Sequence, residues 1–182
     1  MLNGRAFLIL ALATALACSH LMRDKAPRVE SSPVMSALLL NQDQLPRGCK
    51  PRELEPGKEG PHGIKVNPYL SADREFVESF AGAYFYKETG VRPDDVVEAL
   101  FSVYLCPAEV GVFAWRFKTP DAAKAGQEDL EHVISSRRKD SFPVYRVRDV
   151  LVLLWYDYAS QECVSHMEAV IRETLAKYEN QH

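Results

Sequence analysis

Three stretches of the chain repeat apolar residues every three or four positions, which predicts amphipathic helices. The first stretch follows Ser71, a candidate N-cap, and is expected to end at Gly90. The second begins at Thr119 with proline in the first helical position and runs to about Arg138. The third follows Ser160. The residues on these faces are Phe76, Phe80 and Tyr84, then Ala123, Gly126, Leu130, Val133 and Ile134, then Val164, Met167, Ile171, Leu175 and Tyr178.

Four other stretches have the composition of strands. Within residues 96–105, Ala99, Phe101, Val103 and Leu105 occupy alternate positions as in a strand, although the preceding Pro93 could also begin a helix there. Residues 110–117 are aromatic and β-branched, so the two stretches predict a hairpin. Residues 143–148 form a shorter candidate, and 150–156 are seven apolar residues without a break, which indicates a strand buried on both faces.

The order of these elements is helix, strand, strand, helix, strand, strand, helix. This order predicts an α+β fold with an antiparallel four-stranded sheet and helices packed on one face. We expect a single domain over residues 34–182, containing a Pro/Gly-rich loop at 46–68. Residues 18–33 mix charges with prolines and serines, which is typical of a tether.

The first seventeen residues have the anatomy of a secretory signal peptide: Arg5, then twelve uncharged residues that end in small side chains. The stretch Ala15-Leu16-Ala17-Cys18 resembles the lipobox of bacterial lipoproteins. That resemblance implies cleavage before Cys18, diacylation of Cys18, and a membrane partner through the lipid. An unlipidated secreted protein and an uncleaved signal anchor remain alternatives. Ser19 after the cysteine implies the outer membrane, facing the periplasm, in a Gram-negative cell.

Composition adds few constraints. The chain has 182 residues, 47% of them apolar, and a formal net charge of −3, so no nucleic-acid partner is expected. Nucleotide-binding, nucleophile-elbow and zinc-protease motifs do not occur, and no cofactor is predicted. His62 is interpreted as a loop imidazole without a defined role.

Three cysteines remain if Cys18 is acylated: Cys49, Cys106 and Cys163. An oxidising compartment favours one disulfide among them, and the sequence does not choose between the three pairings. Their equal intervals of 57 residues are attributed to chance because the flanking residues differ. There is no C-x-x-C motif, so no zinc site is predicted.

Other candidate sites each have a structural alternative. A cationic group could bind anions, or could serve a helix dipole and protect an edge strand; it comprises Arg137, Arg138, Lys139, Arg146 and Arg148. Two acid–histidine pairs could in principle share a metal but are interpreted as surface pairs: Asp129 with His132, and Glu162 with His166. Four aromatic residues line a groove or fill the core: Trp115, Trp155, Tyr156 and Tyr158.

These observations favour an exported, membrane-anchored lipoprotein that acts as a non-enzymatic binding or structural accessory module of the cell envelope, with an envelope protein as a candidate partner. One alternative is a small envelope hydrolase or metal-dependent enzyme with convergent residues. Another is a ligand-sensing domain that uses the sheet and loop 46–68, which requires a concavity beside that loop.

Overall fold

One antiparallel sheet organises the computed structural model, which describes residues 31–85, 91–137, 142–156 and 161–181. Its six strands are β1 (Lys50–Pro51), β2 (Tyr69–Ser71), β3 (Val96–Leu105), β4 (Glu109–Phe117), β5 (Val144–Val147) and β6 (Val150–Tyr156). The four α-helices of the described residues are α1 (Pro33–Ala37), α2 (Arg74–Gly82), α3 (Pro120–Arg137) and α4 (Gln161–Asn180). The α+β class, the antiparallel sheet and the order of the seven predicted elements are confirmed.

The sheet is wider than the four strands predicted. Its central order is β3-β4-β6-β5, and β1 and β2 both pair with the outer edge of β3. These two strands have two and three residues and lie in or just after the Pro/Gly-rich loop, so they are too short to show an alternating pattern. Loop 46–68 is therefore partly ordered against the sheet edge.

Helices cover both faces of the sheet, which corrects the expectation of one face. Alternate side chains of each strand point to opposite faces. One face packs against α1 and α4 through residues such as Leu100, Val112 and Leu154. The other packs against α2 and α3 through Phe101, Trp115 and Leu153 among others. The unbroken apolar run of β6 required this arrangement, because a strand with two apolar faces needs cover on both.

The helix starts follow their capping residues. Thr119 Oγ1 accepts a hydrogen bond from the Ala122 amide at 3.1 Å, which confirms the predicted cap of α3. The cap of α2 is Asp73 rather than Ser71, because Asp73 Oδ1 accepts from the Phe76 amide at 3.1 Å. This helix ends at Gly82 rather than Gly90. Ser160 lies outside the described residues.

Residues at the start of the described chain are held in place by hydrogen bonds of Ser32. The Ser32 side chain caps α1, which begins at Pro33. The Ser32 amide also donates to Glu98 Oε1 at 3.1 Å, and Glu98 is only 1% exposed. Arg116 Nε donates to Glu98 Oε2 at 3.1 Å. These two partners offset the cost of burying the Glu98 carboxylate, because its charge is paired and its oxygens accept hydrogen bonds.

No helix among the described residues is long and apolar enough to cross a membrane.

Candidate functional site

A pocket of about 410 Å³ opens on the sheet face that packs against α2 and α3. The strands form its floor. One wall is formed by α3 together with Tyr84 and Phe142, and loop 46–68 forms the other wall. The lining residues are Phe101, Val103, Glu109, Phe113, Leu153 and Trp155, then Tyr84, Val133, Ile134 and Phe142, then Arg52, Pro61 and His62. The concavity that a ligand-sensing domain requires beside this loop is therefore present.

Trp155 shapes the floor because Gly111 has no side chain. The two residues are paired across β4 and β6, and a Cβ built on Gly111 would come within 1.7 Å of Trp155 Nε1. The indole therefore lies over the backbone of β4 instead of standing away from the sheet. Its ring centre is 5.8 Å from that of Phe113. The pocket gains a broad aromatic surface from this close approach.

The neighbouring aromatic rings support this surface. Phe101 and Phe113 are cross-strand partners whose rings stack with centroids 4.9 Å apart. Tyr84 contacts Phe113 edge to face at 5.8 Å, and Phe80 of α2 contacts it at 5.3 Å. Because these rings pack against one another in a cluster, the pocket floor is formed in the absence of a ligand.

His62 brings a titratable group to the pocket. Its backbone has φ of 58°, a left-handed conformation that non-glycine residues rarely adopt. Its ring centre is 5.1 Å from that of Phe80, and its Nδ1 is 3.2 Å from Ser79 Oγ. Burial lowers the pKa of His62, because desolvation disfavours the imidazolium. The neutral imidazole therefore predominates at pH 7.

An ion pair forms the polar rim of the pocket. Arg52 Nη1 lies 2.8 Å from Glu109 Oε1, and both side chains are partly exposed. The Asn67 side chain holds this part of the loop on β3: its Nδ2 donates to the Val103 carbonyl at 2.6 Å, and its Oδ1 accepts from the Val103 amide at 2.8 Å. The loop wall is thus fixed to the sheet by a backbone-like pair of hydrogen bonds.

The cationic residues predicted as an anion patch do not form one surface in the part that the structure describes. Arg146 Nε donates to Gln127 Oε1 of α3 at 2.9 Å. Arg148 lies at the β5–β6 turn with φ of 55°, and its guanidinium is 5.9 Å from the ring centre of Tyr178 of α4. The turn directs these two arginines to helices on opposite faces. Arg138, Lys139 and the side chain of Arg137 lie outside the described residues.

The two acid–histidine pairs are also kept apart, because α3 and α4 lie on opposite faces of the sheet. Asp129 is buried while His132 is exposed. His166 Nε2 lies 3.2 Å from the Gln44 carbonyl oxygen. Among the aromatic candidates, Trp115 is fully buried in the core and Trp155 lines the pocket. Tyr158 and the side chain of Glu162 lie outside the described residues.

The three cysteines meet beneath the other face of the sheet, which sequence analysis missed. Cys49 and Cys106 form a disulfide with an S–S distance of 2.06 Å. They continue the β1–β3 ladder by one pair beyond Lys50 and Leu105. Cys163, near the start of α4, is buried with its Sγ 4.0 Å from Cys49 Sγ. The pairing of the two-residue strand β1 with β3 brings Cys49 to Cys106, and the packing of α4 on the sheet adds Cys163; neither relationship leaves a sequence pattern.

No family model matches this chain, and no curated protein or solved structure is significantly similar to it. The leader with its lipobox-like residues and Cys18 lies outside the described residues.

Proposed function

We propose that this protein is an exported, lipid-anchored envelope protein whose folded domain binds a small ring-bearing ligand without transforming it. The aromatic pocket beside loop 46–68 carries the proposal. Its volume falls within the range of about 300–1,000 Å³ that is usual for small-molecule sites. The lipid anchor and the placement at the outer membrane rest on the resemblance of the leader to a lipobox.

The pocket favours a flat apolar body with a polar end. The indole of Trp155 and the ring of Phe113 offer stacking surfaces, while the wall from α3 is aliphatic. Charge is confined to the rim, where Arg52 and Glu109 largely neutralise each other. A polar substituent of the ligand can form hydrogen bonds with this pair at the rim while the apolar body occupies the floor. Burying a charged group on the floor would carry a large desolvation cost.

A binding function agrees with the placement of the ionisable groups. Arg52 and Glu109 are paired with each other, and His62 and Tyr84 are the other ionisable residues among the described lining residues. General acid–base catalysis relies on a titratable side chain within hydrogen-bond reach of the transferred proton, and most of this lining is apolar. The pocket lining offers aromatic contact area instead.

Binding is tested by titrating the full chain with 1-anilinonaphthalene-8-sulfonate and following dye emission and tryptophan quenching. We expect Ile134→Glu, which places a carboxylate on the α3 wall, to weaken binding at least tenfold. The matched control is Leu105→Glu, since Leu105 is an apolar residue that is 42% exposed and does not line the pocket. Equal binding by the wild-type chain and Ile134→Glu would contradict the assignment of the site.

The anchor has its own test. Mass spectrometry of the membrane fraction is expected to find an acylated N-terminal peptide that begins at Cys18. An unmodified Cys18, or a chain that retains its leader, would refute the lipid anchor while leaving the pocket proposal intact.

One contact favours a hydrolase as the second candidate. The 3.2 Å approach of His62 Nδ1 to Ser79 Oγ is the geometry of a base beside a hydroxyl nucleophile. Hydrolysis of p-nitrophenyl acetate that is abolished in Ser79→Ala would support this candidate over simple binding. Turnover that is the same in Ser79→Ala and the wild-type chain would reject it.

A further inference from the structure

We propose that the reduced form of this protein binds one thiophilic d¹⁰ metal ion, Zn²⁺ or Cu⁺, through Cys49, Cys106 and Cys163. The Sγ atoms of these three residues lie within 4.8 Å of one another. All three side chains are buried, and Cys49 is only 1% exposed. A disulfide requires two of these cysteines, whereas a metal site uses all three.

The triangle of sulfur atoms has the size that a metal needs. Thiolates bind Zn²⁺ at about 2.3 Å in tetrahedral geometry, so three sulfurs that share one ion lie about 3.8 Å apart. The distance from Cys49 Sγ to Cys163 Sγ is already 4.0 Å. Only the covalent pair of Cys49 and Cys106 must separate, by rotation of their side chains once the S–S bond is broken.

The scaffold fixes the three ligands independently. Cys49 is held by its amide, which donates to the Pro46 carbonyl at 3.0 Å, and its carbonyl accepts from Gln42 Nε2 at 3.1 Å. The Cys106 amide donates to the Ala108 carbonyl at 3.1 Å in the β3–β4 turn. Cys163 lies in the first turn of α4, which packs on the sheet. These contacts are made by backbone groups and not by the sulfur atoms.

The ligand set points to a soft ion. Thiolates select Cu⁺ and Zn²⁺ over the hard cations that prefer oxygen ligands. Among the described residues, no carboxylate or imidazole joins the three sulfurs within the same distance. His166 follows Cys163 by one turn of α4, but its Nε2 is at the Gln44 carbonyl.

Metal binding and the disulfide exclude each other. A dithiol or phosphine reductant gives two electrons to the Cys49–Cys106 bond and is itself oxidised, and two protons complete the two new thiols. The ion then displaces three protons as three thiolates bind it. Oxidation of the two cysteines by a disulfide oxidant restores the S–S bond and releases the ion.

The test uses the full chain with Cys18→Ser in every sample, so that the three cysteines are the remaining sulfhydryl groups. The chain is reduced with tris(2-carboxyethyl)phosphine under anaerobic conditions. It is then titrated with Zn²⁺ against a chromophoric chelator and, separately, with Cu⁺ against bathocuproine disulfonate. We expect one equivalent of either ion to bind, and the oxidised chain to bind neither.

Variants separate the site from incidental binding. Cys163→Ser keeps the disulfide-forming pair and is expected to weaken metal binding at least tenfold. His166→Gln on the same face of α4 is expected to bind as the parent does. Equal binding by the parent and Cys163→Ser, equal losses in both variants, or binding by the oxidised chain would overturn the proposal.

Folding of the reduced chain is followed by circular dichroism in the same titration. If reduction lowers the helical signal, one equivalent of metal must restore it. A reduced chain that neither binds the ion nor regains structure with it would overturn the proposal. The aromatic pocket lies on the other sheet face, so dye binding by the oxidised chain is unaffected by either result.

Discussion

Gly111 and Trp155 are cross-strand partners, and the indole of Trp155 occupies the space in which any other residue at 111 would carry its Cβ. This pair makes the floor of the pocket. A small residue on one strand and the largest residue on the next thus set the shape of the site.

Replacement of Gly111 by alanine is expected to displace Trp155 and to destabilise the protein by about 1–3 kcal/mol, the usual cost of overpacking. Dye binding falls because the aromatic floor is lost. Chemical denaturation and fluorescence titration measure the two effects. In a Trp155→Ala background the same change at 111 should cost much less. An undiminished cost there would show that the contact is not the cause.

The buried carboxylate of Glu98 makes a second prediction. Arg116→Met removes its cation and leaves an uncompensated charge, which typically costs about 3–5 kcal/mol. We expect a value at the lower end of that range, because the Arg116 side chain is 27% exposed. Denaturant unfolding monitors the loss. Combining Arg116→Met with Glu98→Gln should recover stability, and a double variant as unstable as Arg116→Met would contradict the role of the charge.

The lowered pKa of His62 sets a pH dependence of stability. The unfolded chain has an ordinary histidine pKa near 6.5, so as the pH falls it takes up a proton before the folded chain does. His62 therefore leaves stability intact above about pH 6.5 and reduces it as the pH falls towards the folded pKa. Thermal melts at pH 7.5 and 5.5 should differ less in His62→Gln than in the wild-type chain. If the two melting temperatures differ as much in His62→Gln as in the wild-type chain, His62 is not the source of the pH dependence.

The disulfide between Cys49 and Cys106 closes a loop with a sequence separation of 57 residues. A loop of that length predicts about 4 kcal/mol of stabilisation through restriction of the unfolded chain. Reductant without metal should therefore lower the unfolding midpoint of the wild-type chain. The Cys49→Ser/Cys106→Ser double variant should be less stable and indifferent to reductant. If reductant still lowers the unfolding midpoint of that variant, the loss of stability does not come from this disulfide.

The order of the main elements was predictable because long strands and helices carry their own periodicity. The apolar run of β6 also implied cover on both faces, although the fold prediction placed the helices on one. The pocket was not predictable, since its floor depends on which residue faces Gly111 and its wall on how Asn67 holds the loop to β3. Those relationships are set by strand register and loop geometry, which a residue pattern does not encode.

The central sheet separates the aromatic pocket on one face from the three cysteines on the other. Val103 and Tyr104 are neighbours in the chain, yet Val103 lines the aromatic pocket and Tyr104 belongs to the core that contains the three sulfur atoms. The two sides are joined along the chain, since Arg52 and Glu109 line the pocket three residues after Cys49 and Cys106. Both tryptophans, Trp115 and Trp155, lie on the pocket face, so tryptophan emission reports on that face while a sulfur-based signal reports on the other.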